Sequence, residues 1–329
     1  ANEASLADLL SREETRRAVT LQIVGGVAQS YFDLRQFDMQ LEIAKRTLLA
    51  WEESVRIGQA RLRQGLINKL DVDQFEAERE NAAARIAELK RHIIQKENEI
   101  SVLLGRNPSQ IARGRSLTEQ IIPPVVPAGL PSELLQRRPD VVAAEQQLVA
   151  ATARIGVAKA ERFPKLSLTG ILGVASPTLT DFVSPSTSFG VLAPVLTGPL
   201  LNAQTLGFQQ QAVEAQAKQA VAQYEQTVLV AFREVEDALV GVSTAREQAA
   251  AQERQVNSLR SALHLANLRY KGGLANYLDV LIAQRSLFVT ELALADTHRL
   301  HLVSVVQLYK ALGGGWSPEK NQPKDSSKG

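Results

Sequence analysis

The chain contains no cysteine, and aromatic residues make up only 5% of its 329 residues. Without cysteine there are no disulfides and no thiolate metal sites in this stretch. So few aromatics is low for a globular enzyme. A formal charge of +2 is close to balance, and no Lys/Arg block with interleaved aromatics is present, so a nucleic-acid partner is not expected. No run of 18 apolar residues occurs, which excludes a transmembrane helix. A membrane role would therefore have to use strands. No nucleophile elbow, phosphate loop or zinc motif is found. The four histidines, His92, His264, His298 and His301, are scattered. His298 and His301 share a helical face but lack a convincing further ligand. Enzymatic activity, a metal and a cofactor are all unexpected.

What the sequence does have is Ala, Gln, Glu, Leu and Arg in long uninterrupted stretches, the composition of long helices and coiled coils. From Ala1 to about Gln64 there is no proline, and Val27, Leu34, Leu41, Leu48, Val55 and Leu62 fall on an unbroken seven-residue spacing. This predicts one long helix with a coiled-coil seam, spanning on the order of 90 Å. Gly25 and Gly26 interrupt it and imply close helix contact or slight bending. A glycine C-cap at Gly65 ends it. A turn then leads into a second helix from about Asp71 to Leu104, with Asp71 placed to cap the helix N-terminus.

The turn recurs. Gly65-Leu66-Ile67-Asn68-Lys69-Leu70-Asp71-Val72 returns 208 residues later as Gly273-Leu274-Ala275-Asn276-Tyr277-Leu278-Asp279-Val280, with six of the eight positions identical. The match continues without a gap: Arg61 pairs with Arg269, Val27 with Val235, and Leu104-Gly105 with Leu312-Gly313. The expected organisation is a duplication. Residues 1–105 form a first repeat, 106–129 a proline-containing linker, 130–313 a second repeat, and 314–329 a disordered polar tail. The second repeat carries a lead-in from about Leu130 to Gln209. The duplication thus leads us to expect an N-terminal truncation, with a mirror segment of roughly 79 residues preceding Ala1 in the complete protein. A signal peptide and a lipidated cysteine would lie there too.

Within that lead-in, Pro139 separates a short helix from a longer one ending near Arg162. Two alternating runs follow, at about 163–176 and 187–198. The first places Leu166, Leu168, Leu172 and Val174 on one face, with Lys165, Ser167 and Thr169 on the other. The second places Phe189, Val191, Ala193 and Val195 on one face. Two antiparallel strands of roughly ten residues suit a tilted membrane strand. A soluble hairpin packed on the helices is the alternative. From about Leu200 the longest helix runs to Gly272, with Val221, Val228, Val235, Val242, Ala249, Val256, Leu263 and Tyr270 on a heptad seam and small companions at Ala231, Ala238, Ala245 and Ala266. A last helix from about Asn276 to Leu312 closes a second hairpin.

The segments Leu135-Gln136-Arg137-Arg138-Pro139-Asp140-Val141, Phe163-Pro164-Lys165-Leu166-Ser167-Leu168-Thr169-Gly170, and Arg269-Tyr270 through Gly273 to Leu281 with Ala283-Gln284-Arg285-Ser286-Leu287 together resemble the TolC family of outer-membrane efflux factors. The similarity is greatest to its NodT-like lipoprotein branch. The implied fold is mostly α with a membrane β-hairpin: duplicated long helical hairpins join a trimeric α-barrel, and four strands per complete protomer enter a shared twelve-stranded outer-membrane β-barrel. The implied function is the passive exit duct of a tripartite efflux pump for drugs, metal ions or other small molecules. It would be a homotrimer in outer-membrane lipid, reaching into the periplasm. Its partners would be a periplasmic adaptor and an inner-membrane transporter of RND type. A periplasmic adaptor or a structural coiled-coil protein remains the rival class.

The resemblance also bears on sites. Asp71 and Asp279 either cap helices or join Tyr270 at a periplasmic aperture, where a ring of carboxylates favours cations. Gly65 and Gly273 would shape the tips on which a partner docks. Ala275 and Ile282 stand where some members carry a latching arginine and a further aspartate. Arg137-Arg138-Pro139-Asp140 reads as structural, with Pro139 opening a helix and Asp140 near its N-terminus.

Overall fold

A computed structural model describes residues 2–120, 135–175, 188–199 and 202–314. The lead-in before Leu135, the loop between the two strands and the C-terminal tail fall outside these residues. The elements in order are α1 (Asn2–Arg63), α2 (Lys69–Leu103), a 3-10 turn (Leu117–Glu119), α3 (Pro139–Ala160), β1 (Lys165–Val174), β2 (Ser188–Thr197), α4 (Ala203–Lys271) and α5 (Tyr277–Ala311). Among the described residues no helix is long and apolar enough to cross a membrane. The chain divides into two compact units, one of residues 1–16 and 139–229, the other of residues 17–138 and 230–329.

The first unit contains the start of α1, α3, the strand pair and the first part of α4. Its interior is built mostly from small side chains around Val141: Ala4 and Ala7 of α1, Ala143, Ala144, Ala150 and Ala151 of α3 and Ala217 of α4 are all buried. Alanine seams bring helix axes close, and little χ entropy is lost on burial. Arg154 pairs with Asp8 at 2.6 Å, joining α3 to α1.

The two strands pair antiparallel, with Lys165 opposite Thr197 and Val174 opposite Ser188. Residues opposite one another point the same way, so the register decides which face of β1 joins which face of β2. Leu166, Leu168 and Leu172 share a face with Leu192, Pro194 and Leu196, and the five leucines are 67–91% exposed. Phe189, Val191, Ala193 and Val195 share one face of β2, as expected, and stand opposite Gly173, Ile171, Thr169 and Ser167. One face is thus predominantly apolar, with Ser188 at its end, and the other mixed. Phe189 covers Gly173, where an added Cβ would lie 3.1 Å from the ring.

The second unit holds the two helical hairpins. The seam residues Leu34, Val55, Val235, Ala249 and Val256 are buried, while Val27, Leu41, Leu48 and Leu62 are half-buried. Two apolar layers follow one another along the hairpins. Trp51, Val55, Phe75, Ala82, Tyr277, Val280 and Leu281 form one, and Ile43, Ala44, Ile86, Leu89, Phe288 and Ala295 form the next. Each layer takes residues from α1, α2 and α5, so both hairpins share one core. Gly25 and Gly26 lie at ordinary packing distance from Lys310 and Leu103 and are not forced by space. The close approach is at Gly58, where a Cβ would stand 2.7 Å from the Phe75 ring.

Arg138 gives the Arg-Arg-Pro-Asp segment a role the sequence did not reveal. Its side chain is buried. One guanidinium nitrogen donates to the Ala311 carbonyl at the end of α5 (3.2 Å) and another to Glu234 of α4 (2.7 Å). A cation at a helix C-terminus satisfies an orphan carbonyl and opposes the dipole's negative end. Pro139 does open a helix, and Asp140 lies in its first turn.

Candidate functional site: the two hairpin tips

The tips are built alike because their sequences demand the same backbone. At the first, Leu66 N–H donates to the Arg61 carbonyl (3.0 Å) and Gly65 N–H to that of Leu62 (2.9 Å). At the second, Leu274 donates to Arg269 (2.9 Å) and Gly273 to Tyr270 (3.1 Å). This paired closure puts the residue just past the helix in the left-handed region. Gly65 has φ 70° and Gly273 φ 72°, a conformation glycine adopts without penalty. Leu66 and Leu274 are left exposed beside them.

The aspartates are not equivalent despite identical neighbours. Asn68, rather than Asp71, is the N-cap of α2. Its side chain accepts from Asp71 N–H at 2.9 Å, and the Asp71 carboxylate accepts from Asn68 N–H at 3.3 Å. This is a closed capping box. At α5 the N-cap Asn276 makes no side-chain cap bond. Asp279 donates its own N–H to the Asn276 carbonyl at 3.3 Å, and its exposed carboxylate has no hydrogen-bond or ion-pair partner among the described residues. Asp71 is committed to its helix and Asp279 is free.

Tyr270 has no hydrogen bond to either aspartate among the described residues. Its ring packs edge-on against Tyr277 at 4.8 Å between centroids, and Tyr277 packs against Phe75 at 4.1 Å. The Arg61 guanidinium lies 4.4 Å from the centre of the Tyr270 ring, within cation–π range. Arg61, Tyr270, Tyr277 and Phe75 come from α1, α4, α5 and α2 respectively, so the ladder crosses between the hairpins twice. Burial pushes the Tyr277 hydroxyl pKa upward, against the pull of nearby Ser54 and with Tyr270 adding to the rise. Ser54 Oγ is itself bonded to the Ala50 carbonyl at 2.9 Å, and the buried Tyr277 hydroxyl has no hydrogen bond. Tyr277 and Phe75 carry no motif that marks them as functional residues. The signal for Tyr277 lay in the repeat, where it is one of two positions that differ, opposite Lys69.

No group of three or more His, Asp or Glu side chains among the described residues is arranged to hold a metal ion. His298 faces Glu253 at 3.7 Å, and His301 lies near Arg246 and His298. The arrangement at the tips is that of a packed, charged helical end with one unpartnered carboxylate.

The family model described as outer membrane efflux protein matches residues 1–106 and 130–314. The chain belongs to that family. It is 38% identical over 318 residues to the solvent efflux pump outer membrane protein SrpC of Pseudomonas putida, covering 96% of this chain and 67% of SrpC. It is 36% identical over 316 residues to the cation efflux system protein CusC of Escherichia coli O6:H1, covering 96% of this chain and 68% of CusC. The crystal structure of the open state of the MtrE outer membrane channel of Neisseria gonorrhoeae matches with a TM-score of 0.86 at 32% identity, covering 95% of this chain and 71% of MtrE. The chain spans about two thirds of the length of these relatives. An efflux-family chain with this fold is the outer-membrane channel of a pump, reaching from the outer membrane into the periplasm, and not its adaptor.

Proposed function

We propose that the complete protein is a homotrimeric, non-enzymatic exit duct whose periplasmic end is closed by the two hairpin tips, with no cofactor of its own. The observation that carries this is the strand pair: two strands with open edges and one exposed face dominated by five leucines. Unsatisfied edges are not tolerated in lipid, so a closed barrel must pool strands from several copies. Four strands from each complete protomer make a twelve-stranded barrel, of which β1 and β2 are one pair. A periplasmic adaptor docks near Gly65 and Gly273, and an inner-membrane transporter of RND type supplies the energy. The relatives' names point to solvents, cations or antibiotics as cargo.

In this reading Asp71, Asp279 and Tyr270 belong to the aperture in different ways. Tyr270 holds the tips together through Arg61 and Tyr277, in place of the arginine absent at Ala275. Asp279, uncommitted, supplies the carboxylate that favours cations, whereas Asp71 secures α2. Single-channel recordings of the complete protein test this. Asp279→Asn lowers cation preference, and Asp71→Asn changes it less while loosening closure. Unchanged selectivity and closure in both variants would return the two residues to helix ends without a transport role.

A further inference from the structure

Deeper in the hairpins lies a second polar feature that the tips do not use. Glu291 of α5 is buried, with 6% of its side chain exposed. Arg46 of α1 donates to its Oε2 at 2.5 Å. Arg260 of α4 donates to its Oε1 through Nε at 3.2 Å and Nη2 at 2.7 Å. One carboxylate thereby ties three helices of both hairpins, and both arginine heads reach solvent, at 59% and 55% exposure.

The contacts of α5 with α1 differ on the two sides of this clamp. Towards the tip they are apolar: Tyr277, Val280 and Leu281 pack with Trp51 and Val55. The polar tie on that side runs instead to α2, from Arg285 to Glu78 at 3.1 Å. Away from the tip the apolar layer continues, with Ile43 and Ala44 near Ala295, and directional bonds are added to it. Gln40 donates to the Leu292 carbonyl (3.1 Å), Gln36 to Asp296 (3.3 Å) and Arg299 to Asp33 (3.1 Å). Lys96 also pairs with Asp33 at 3.3 Å. Apolar contacts are non-directional and tolerate sliding. A buried carboxylate held by two guanidinium groups does not, because displacing one partner strands a charge in the interior.

We infer that Glu291 is a positioning residue for gating. The Arg46–Glu291–Arg260 clamp is the fixed end about which the tip-side part of α5 moves when the duct opens. The segment from Tyr277 to Gln284 peels away from α1, and the segment from Leu292 onward stays in register. This rests on the reading of the tips as the aperture.

Amide hydrogen exchange along α5, measured on the complete protein in lipid together with channel recordings, decides it. In the unmodified protein, Tyr277–Gln284 exchange about tenfold faster than Leu292–Leu302, because exchange reports local opening. In Glu291→Gln the fast region extends past Leu292 and the open fraction of the channel rises. Arg46→Gln, an exposed substitution that leaves Arg260 on Glu291, shifts the boundary less. A boundary that stays in place in Glu291→Gln overturns the proposal, as does a uniform rise over all helices, which would mark loss of stability alone. The two readings fail separately. If the unmodified tip exchanges no faster than Leu292–Leu302 and Asp279→Asn leaves conduction unchanged, the aperture reading falls. If the tip is fast and conduction responds while the boundary ignores Glu291, only the clamp falls.

Discussion

At the scale of single residues, the two tips show how far local sequence determines local structure. Gly65 and Gly273 occupy the same left-handed turn because the chain reverses after the same helix ending. Asn68 and Asp71 close a capping box, yet Asn276 and Asp279 do not. The difference tracks the residue between them: exposed Lys69 pairs with Asp73, while Tyr277 is drawn into the core beside Phe75 and Tyr270. Packing at the first turn of α5 outweighs a cap bond of about 1 kcal/mol. Because the Tyr277 hydroxyl has no hydrogen bond, Tyr277→Phe leaves stability unchanged or raises it by up to about 1 kcal/mol, whereas Tyr277→Ala lowers it by about 3–5 kcal/mol. Denaturant unfolding of the complete protein measures both, and a large loss for the phenylalanine variant would reveal a partner for the hydroxyl. Gly58→Ala places a Cβ against the Phe75 ring and costs about 1–3 kcal/mol by overpacking. A neutral alanine there would mean that the ring turns aside easily.

At the scale of elements, helix positions followed from heptads and glycines to within about four residues, the start of α4 at Ala203 being the largest difference, since a seven-residue apolar spacing has one geometric solution over long distances. The strand pair was harder. Each strand's alternation was visible, but which face of β1 aligned with which face of β2 depended on register, and a shift of one residue exchanges the faces. The observed register collects the leucines on one side. Leu168→Arg therefore costs about 2–4 kcal/mol of stability in bilayers if its position is near the midplane, and the adjacent Thr169→Arg, on the mixed face, far less. Folding titrations into vesicles compare the two. Equal penalties would mean that both faces meet lipid.

At the scale of the whole molecule, stability depends on pH through histidines between α4 and α5. Burial lowers the pKa of His298 and outweighs the opposing charge of Glu253. His301 is lowered by burial first, then by Arg246 and His298. A histidine that binds its proton less tightly when folded adds no penalty above its ordinary value of about 6.5. It destabilises the fold as pH falls through that value, because the unfolded chain takes up protons first. The decline levels off below the folded-state pKa. Melting curves from pH 7.5 to pH 5 should show this loss, and His298→Gln/His301→Gln should flatten it. An unchanged slope in the double variant would assign the acid sensitivity to other groups.

The sequence by itself determined the class of element, the repeated glycine turns, and a resemblance to outer-membrane efflux factors that the family comparison bears out. These follow from local rules: spacing, φ preference and residue inventory. Only the tertiary structure decided that Asp71 is engaged and Asp279 free, that Arg61 and Tyr270 meet across the hairpins, that Arg138 caps α5, and that Glu291 holds Arg46 and Arg260. Arg46 and Glu291 are 245 residues apart in the chain. No local periodicity relates residues at that separation, because their contact is a product of how two hairpins share one core.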